Sequence, residues 1–157
     1  MFNKILVCLD GSDIAEQILP YATEQALHFN SKVVLLQVIT TPTGMVVPGI
    51  PGEPSQPMQP TAMLELVKKE EDEAGAYLAQ MAEMLKAKGV EVEWTTVQGT
   101  PGSSIIQYTD ENEVDLIAIA THGRGGLRRL VFGSVAEFVL KESGLPVLVI
   151  RPKESET

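Results

Sequence analysis

Cysteine and long apolar runs are both scarce in this chain of 157 residues. A single cysteine, Cys8, excludes an internal disulfide framework, and its position inside an apolar run predicts a buried, unreactive thiol. No run approaches the roughly 18 apolar residues of a membrane-spanning helix. The N-terminus leads straight into strand-like sequence without the pattern of a signal peptide. We therefore expect a cytoplasmic protein that does not insert into membranes.

The motifs of the common catalytic classes are also missing. The sequence contains neither G-x4-G-K-[ST] nor G-x-G-x-x-G. Two histidines and one cysteine, far apart in sequence, make a metal site built by the protein improbable. No Ser/His/Asp arrangement and no adjacent pair of aspartates stands out, and Glu137 is only a weak candidate for a general base. The sequence therefore leans away from an enzyme.

The net charge of −9 argues against nucleic acid or an anionic membrane as a partner. The basic residues are unevenly distributed, because three of the four arginines fall within six residues: Arg124, Arg128 and Arg129. This cluster is either a solvated basic turn or the counter-charge for a bound anion. In a chain this acidic, the second interpretation is favoured.

The order of apolar runs and helical stripes predicts one domain over residues 1–152, followed by a polar tail, 153–157, that we expect to fray. Strands are predicted at 5–9, 32–39, 90–95, 116–120 and 147–150, with helical spacing between them. Alternating strands and helices indicate an α/β fold. We predict a single doubly wound, Rossmann-like domain whose five-stranded parallel sheet has the order 3-2-1-4-5 and helices on both faces.

Proline and glycine give two further structural predictions. Pro20 lies inside the first helical stripe and should kink that helix or displace its start. Residues 40–60 hold six of the ten prolines and three glycines, so they cannot form a helix or a central strand. This inserted loop is either a mobile lid or partner-contact loop, or a tolerated insertion.

The stretch 115–151 carries the main functional signal, because it reads as strand, glycine-rich loop, helix and strand. Its helix, with apolar spacing through Val135, Phe138, Val139 and Leu140, begins just after Gly133. Such a start presents unpaired N–H groups and the positive end of the helix dipole, which suits phosphate. We therefore predict a nucleotide phosphate site here.

The predicted strand order places the turn after the first strand beside the predicted phosphate site. The winding of the sheet reverses between its first and fourth strands, which end at Leu9-Asp10 and Ala120-Thr121. Ligands of open α/β sheets bind in the crevice at such a reversal. Asp10 also has a plainer interpretation, since a strand-end aspartate is often only a turn former.

These residues resemble the universal stress protein family over essentially the whole chain. The nucleotide-binding branch of that family carries G-x2-G-x9-G-[ST] after the fourth strand. Here the segment reads Ala120-Thr-His-Gly123, then nine residues, then Gly133-Ser134. The N-terminal ILVCLDGS is similar to the first strand of the family with its aspartate.

The resemblance implies an ATP site. Leu9 and Val38 would flank the adenine, and Asp10 would accept hydrogen bonds from the ribose or the adenine edge. A divalent ion, Mg²⁺ or Mn²⁺, would be held mainly by the phosphates and water.

On the phosphate side, the resemblance implies that Ala120 and Gly123 allow close approach of the backbone. Gly133, Ser134 and Val135 would donate N–H groups and the Ser134 hydroxyl to the phosphate chain. Thr121, Arg124 and Gly126 complete the predicted site, although Gly126 could simply make the loop permissive. Two departures from the family pattern lower the expected affinity. Ala120 replaces a glycine, and Ala136 stands where some members carry a hydroxyl.

The function that the resemblance implies is that of a cytoplasmic ATP-binding regulatory or stress-response module, acting through nucleotide-dependent contacts with a protein partner or within a dimer. The alternatives are a slow ATPase and an interaction protein that binds no nucleotide. The family also implies a homodimer, and Val147–Ile150 is the predicted contact because it forms a long apolar edge strand. Larger oligomers built from that dimer are compatible with this prediction.

Overall fold

The computed structural model describes residues 1–40, 46–47, 51–54, 56–121 and 133–153. Strands and helices alternate through most of the chain, as the spacing of apolar residues predicts. In chain order the elements are β1 Lys4–Leu9, α1 Asp13–Glu16, α2 Leu19–Phe29, β2 Lys32–Ile39, β3 Val46–Val47, β4 Gln56–Pro57, α3 Pro60–Ala87, β5 Glu91–Gln98, α4 Pro101–Glu111, β6 Leu116–Ala120, α5 Ser134–Glu142 and β7 Val147–Ile150.

Five of these strands form one parallel sheet in the order β5-β2-β1-β6-β7. Numbering only the strands of this sheet along the chain gives 3-2-1-4-5, as predicted. The labels differ because β3 and β4 make a separate two-stranded sheet. The winding reverses between β1 and β6, which pair with Leu6 opposite Ile117.

Helices cover both faces of the sheet and create two apolar clusters. One cluster joins side chains of the strands to α1, α2 and α3, and it contains Val7, Leu35 and Leu78. The other joins the opposite faces of the same strands to α4 and α5, and it contains Leu6 and Ile117. Alternate residues of each central strand are buried on opposite faces, which explains why these strands read as continuous apolar runs.

Pro20 displaces the start of a helix, as its ring and missing N–H predict. The first helical stripe is split into α1 and α2, and Pro20 lies within the first two positions of α2. Proline also opens α3 at Pro60 and α4 at Pro101. A first-turn proline leaves no backbone hydrogen bond unmade, so all three helices start where proline is tolerated.

The described residues of the proline-rich stretch 40–60 contribute no strand to the central sheet. Its described part includes the antiparallel pair β3 and β4, in which Val46 lies opposite Pro57 and Val47 opposite Gln56. The helix that follows begins at Pro60, slightly earlier than the expected 62. Whether this stretch is a lid or a tolerated insertion stays a prediction.

The predicted apolar face of the last helix was partly wrong. Ala136 and Val139 are the buried residues of α5, whereas Phe138 and Leu140 are each 42% exposed. The small side chain of Ala136 lets the helix approach the sheet closely, and this rotates the larger residues outwards. The C-terminal tail begins with an anchored residue, since Lys153 exchanges two backbone hydrogen bonds of 2.9 Å with the Gln17 amide.

Within the described ranges, neither edge of the five-stranded sheet is paired with a further strand. β5 lies at one end of the sheet beside β2, and its half-exposed alternation fits the predicted edge strand. β7 lies at the other end beside β6, and its four residues are all half-buried. Among the described helices, none combines the length and the apolar character needed to cross a membrane.

Candidate functional site

A cleft of about 330 Å³ opens at the carboxyl end of the sheet, where the winding reverses between β1 and β6. It is framed by the ends of these strands and by the starts of α4 and α5. The described residues that line it are Cys8, Leu9, Asp10, Ala15, Leu36, Val38, Pro101, Ile105, Ile119, Ala120, Gly133, Ser134, Val135 and Ala136. The two turns singled out in the sequence therefore meet at one opening.

The first turn of α5 forms one wall of the cleft. Gly133 is the N-cap residue in an extended conformation, with φ −63° and ψ 154°, and no side chain of the described residues caps the helix. The first intrahelical bond runs from Glu137 N to Gly133 O at 2.9 Å. Consequently the N–H groups of Ser134, Val135 and Ala136 precede the helical ladder, and they have no acceptor among the described residues. These three residues line the cleft.

Asp10 closes the opposite side of the opening with an exposed carboxylate. Its Oδ1 accepts hydrogen bonds from Ser12 N at 3.0 Å and from Ser12 Oγ at 2.6 Å. The Ser12 hydroxyl in turn accepts the N–H of Ala15 at 3.1 Å and so caps α1. Asp10 thus has the turn-forming role considered for it and also faces the cleft.

Ser12→Ala should lower the free energy of unfolding by about 1 kcal/mol, because it removes the α1 cap and one hydrogen bond to Asp10. Urea unfolding measures this loss. Ser12→Thr is the matched control, since it keeps a hydroxyl at the same place and should retain most of the stability. An unchanged Ser12→Ala protein would contradict the capping role.

The floor of the cleft is apolar. Leu36, Ile105 and Ile119 are nearly fully buried there, beside the Cys8 thiol. Burial raises the pKa of Cys8 to about 12, so the thiol stays protonated and unreactive at neutral pH, as its place in an apolar run predicted. A floor of this kind favours a flat, apolar ligand group and contributes no charge.

The start of α4 was missed by the sequence prediction. Pro101 and Ile105 line the cleft, although their helix follows the edge strand β5. A right-handed crossover from β5 to β6 must carry α4 across β2 and β1, and this topological signal could have revealed the contact.

Seven of the eleven predicted site residues line this cleft: Leu9, Asp10, Val38, Ala120, Gly133, Ser134 and Val135. Thr121 is buried just beyond β6, and its N–H donates to Ile150 O at 2.9 Å, so its backbone extends the sheet. It is not one of the described lining residues. Gly123, Arg124 and Gly126 lie outside the described residues, as do His122 and the other loop arginines.

A second cavity, of about 740 Å³, adjoins the first and shares Asp10, Val38 and Pro101 with it. Glu70 and Glu73 of α3 add two further carboxyl groups to its lining. The second cavity is therefore markedly more acidic than the cleft, in which Asp10 is the one carboxylate among the described lining residues.

Tyr77 lines this second cavity and connects α3 to α1 through a hydrogen bond. Its hydroxyl donates to Glu16 Oε1 at 2.8 Å. Burial, together with this bond to a carboxylate, raises the pKa of Tyr77, so the phenol remains a proton donor throughout the neutral range. The contact fixes α3 beside the turn that carries Asp10.

Within the part of the chain that the structure describes, no group of three or more His, Cys, Asp or Glu residues is arranged to hold a metal ion.

The fold and the cleft define a doubly wound α/β protein with a ligand-sized opening at the switch point of its sheet. The family model of the universal stress proteins matches residues 1–151, so the chain belongs to the universal stress protein family. It is 31% identical over 156 residues to the universal stress protein MJ0531 of Methanocaldococcus jannaschii. The aligned region covers 99% of this chain and 86% of that protein.

Solved structures of the family share the whole fold. The structure of the protein MJ0577 matches with a TM-score of 0.79 and 28% identity, covering 99% of each chain. A universal stress protein in complex with cAMP matches at a TM-score of 0.61 and 21% identity, covering 97% of this chain and 98% of its own. The universal stress protein from Archaeoglobus fulgidus in complex with dAMP matches at a TM-score of 0.60 and 21% identity. The match covers 96% of this chain and 98% of that protein.

Proposed function

We propose that this protein is a cytoplasmic universal stress protein that binds ATP in the cleft and acts as a regulatory module. The observation that carries the proposal is the first turn of α5, which presents three N–H groups without a described acceptor to an opening between β1 and β6. The solved relatives in complex with cAMP and dAMP support an adenine nucleotide as the ligand class.

The charge distribution supports one orientation of the nucleotide. The positive end of the α5 dipole and its N–H groups favour the phosphates on the side of Ser134 and Val135. Glu70 and Glu73 would repel phosphates from the neighbouring cavity. The adenine would then lie by the ends of β1 and β2, between Leu9 and Val38, with Asp10 accepting hydrogen bonds from the ribose or the base.

A divalent ion, Mg²⁺ or Mn²⁺, would be held mainly by phosphate oxygens and water in this arrangement. The described residues contribute Asp10 as the one carboxylate at the cleft. Glu137, the weak candidate for a general base, instead accepts a hydrogen bond of 2.9 Å from Lys141 on the same helix. We therefore propose binding rather than hydrolysis as the role of the site.

Nucleotide released from the purified protein tests the proposal directly. The protein is denatured, and the supernatant is analysed by anion-exchange chromatography and mass spectrometry. An adenine nucleotide in at least a tenth of the molecules, or saturable binding of added ATP, is the expected result. Protein that releases none and fails to bind millimolar ATP would show that the cleft serves another ligand.

We also propose that β7 pairs with its own copy to form a homodimer. The carbonyl of Pro146 accepts from Ile117 N at 3.1 Å, and that of Ile150 accepts from Thr121 N at 2.9 Å. Backbone groups of alternate residues point in opposite directions along a strand. The N–H and C=O groups of Val147 and Val149 therefore point to the open edge, where a second copy would complete their hydrogen bonds.

Val149→Pro should raise the dimer dissociation constant at least tenfold, because proline removes an outward N–H without breaking a bond to β6. Sedimentation equilibrium measures the constant. Val149→Thr, which keeps the N–H, should dimerise like the unmodified protein. If the unmodified protein sediments as a monomer at micromolar concentration, the proposed dimer is wrong.

A further inference from the structure

Phe138 of α5 is a partly exposed aromatic residue that packs against α4. Its side chain is 42% exposed, yet one side of its ring lies directly against the backbone of α4 at Gly102. A Cβ atom at Gly102 would be only 2.6 Å from Phe138 Cδ1, so the contact depends on the glycine. The outward side of the ring remains available for another molecule.

The ring forms part of a groove of about 400 Å³ between the two helices. Ile106 and Phe138 make its apolar floor, and Asp110, Glu111 and Glu142 line it with carboxyl groups. Asp110 and Glu111 come from α4 and Glu142 comes from α5, so both helices contribute acidic residues.

The acidic rim carries more negative charge than the nearby described cations offset, because only Lys141 among them acts on it, through Glu142. No lysine or arginine is found among the described residues that line the groove. Lys141, next to Glu142 in sequence, is bonded to Glu137 at 2.9 Å. Glu111 accepts a hydrogen bond from Gln107, which is a neutral donor. An apolar floor beside three carboxyl groups, with no lysine or arginine among the described lining residues, suits a partner that combines apolar and basic side chains.

We propose that this α4–α5 groove docks a basic amphipathic segment of another protein. An apolar side chain of that segment packs against Phe138 and Ile106, and flanking lysine or arginine side chains pair with Asp110, Glu111 and Glu142. Nucleic acid and anionic lipid are disfavoured by the same acidic rim. A second copy seated through the same groove is disfavoured, because it would place the same acidic residues against each other.

The groove is distinct from the proposed nucleotide cleft and from the β7 edge. Its lining residues are not shared with the described lining of the cleft. Docking can therefore be tested without nucleotide, and its failure would leave the ATP proposal unaffected.

The probe is a fluorescently labelled 14-residue amphipathic peptide made of leucine and lysine, titrated at physiological salt and followed by fluorescence anisotropy. The Asp110→Asn/Glu142→Gln double variant and Phe138→Ala should each weaken binding at least tenfold. A peptide with glutamate in place of lysine should not bind. Circular dichroism verifies that each variant is folded.

The matched controls lie on α3, which is remote from the groove in the fold. Glu65→Gln/Asp72→Asn makes the same change in net charge, and Leu64→Ala removes a side chain that is 69% exposed. Both should bind the peptide within twofold of the unmodified protein. Equal weakening in groove and control variants, or no binding at 100 μM peptide as an order-of-magnitude ceiling, would overturn the proposal. Loss of self-association in Asp110→Asn/Glu142→Gln would also overturn it, by assigning the groove to a second copy.

Discussion

Replacing Ser134 by proline should reduce the affinity for ATP about 100-fold or more. The substitution removes both the Ser134 N–H and the hydroxyl at the first turn of α5, the two donors proposed to meet the phosphate chain. Each hydrogen bond to a charged group contributes about 1.5–3 kcal/mol, and about 2.7 kcal/mol corresponds to 100-fold in affinity. Isothermal titration calorimetry with ATP and Mg²⁺ measures the change.

The helix itself should tolerate this proline. Ser134 is the first residue of α5, where the N–H has no partner within the helix and the fixed φ of proline is favourable. Gly133, with φ −63° and ψ 154°, already has the extended conformation that a residue before proline requires. We expect the free energy of unfolding to change by less than about 1 kcal/mol, so lost binding would not reflect lost structure.

Ser134→Ala is the matched control, because it removes the hydroxyl and keeps the N–H. It should lose about tenfold in affinity, which corresponds to one hydrogen bond. An equal loss in both variants would assign the contact to the hydroxyl alone. ATP affinity in Ser134→Pro equal to that of the unmodified protein would refute the proposed contact with the start of α5.

The sheet could be predicted because its central strands are buried on both faces. Such strands give short, unbroken apolar runs, and the reversal of winding then follows from connection rules. The displaced start of α2 was equally predictable, because Pro20 acts through local sterics. The strands and the start of α2 depend on residues close in sequence, and the strand order depends on general connection rules rather than on particular side chains.

The orientation of α5 could not be predicted in this way. Helical spacing placed Phe138 and Leu140 on the apolar face, but the helix instead buries Ala136 against the sheet. Packing of the small Ala136 against the sheet is favoured here over full burial of Phe138. The ring of Phe138 instead packs against Gly102 of the neighbouring helix α4. That choice depends on α4, which is distant in sequence.

The candidate site also combines features that could be predicted from the sequence with features that could not. The ends of β1 and β6 and the start of α5 were predicted from the switch point and from the glycine before the helix, and they line the cleft. Pro101 and Ile105 were missed, because their approach depends on the path of α4 over two intervening strands. The acidic second cavity was missed for the same reason, since α3 supplies Glu70 and Glu73 from a distant part of the chain.

Ile117→Ala should lower the free energy of unfolding by about 2–5 kcal/mol, the range for a large buried side chain reduced to alanine. Ile117 is fully buried in β6, where it lies opposite Leu6 of β1 and Val147 of β7. The close-packed strands on both sides prevent the space from collapsing, so a cavity remains. Because domains are stable by only about 5–15 kcal/mol, this single change should remove a large part of the total.

Urea unfolding followed by the fluorescence of Trp94, the one tryptophan of the chain, measures the loss. Trp94 lies against Gly75 of α3, so its signal reports the packing of that helix on β5. Ile14→Ala is the matched control, because the same atoms are removed from a side chain that is 38% exposed on α1, and it should lose less than about 1 kcal/mol. All proteins are compared at one concentration, since dimer formation would add to the apparent stability. Equal losses at Ile117 and Ile14 would mean that the β1–β6 pair, which frames the cleft, does not form the packed centre of this domain.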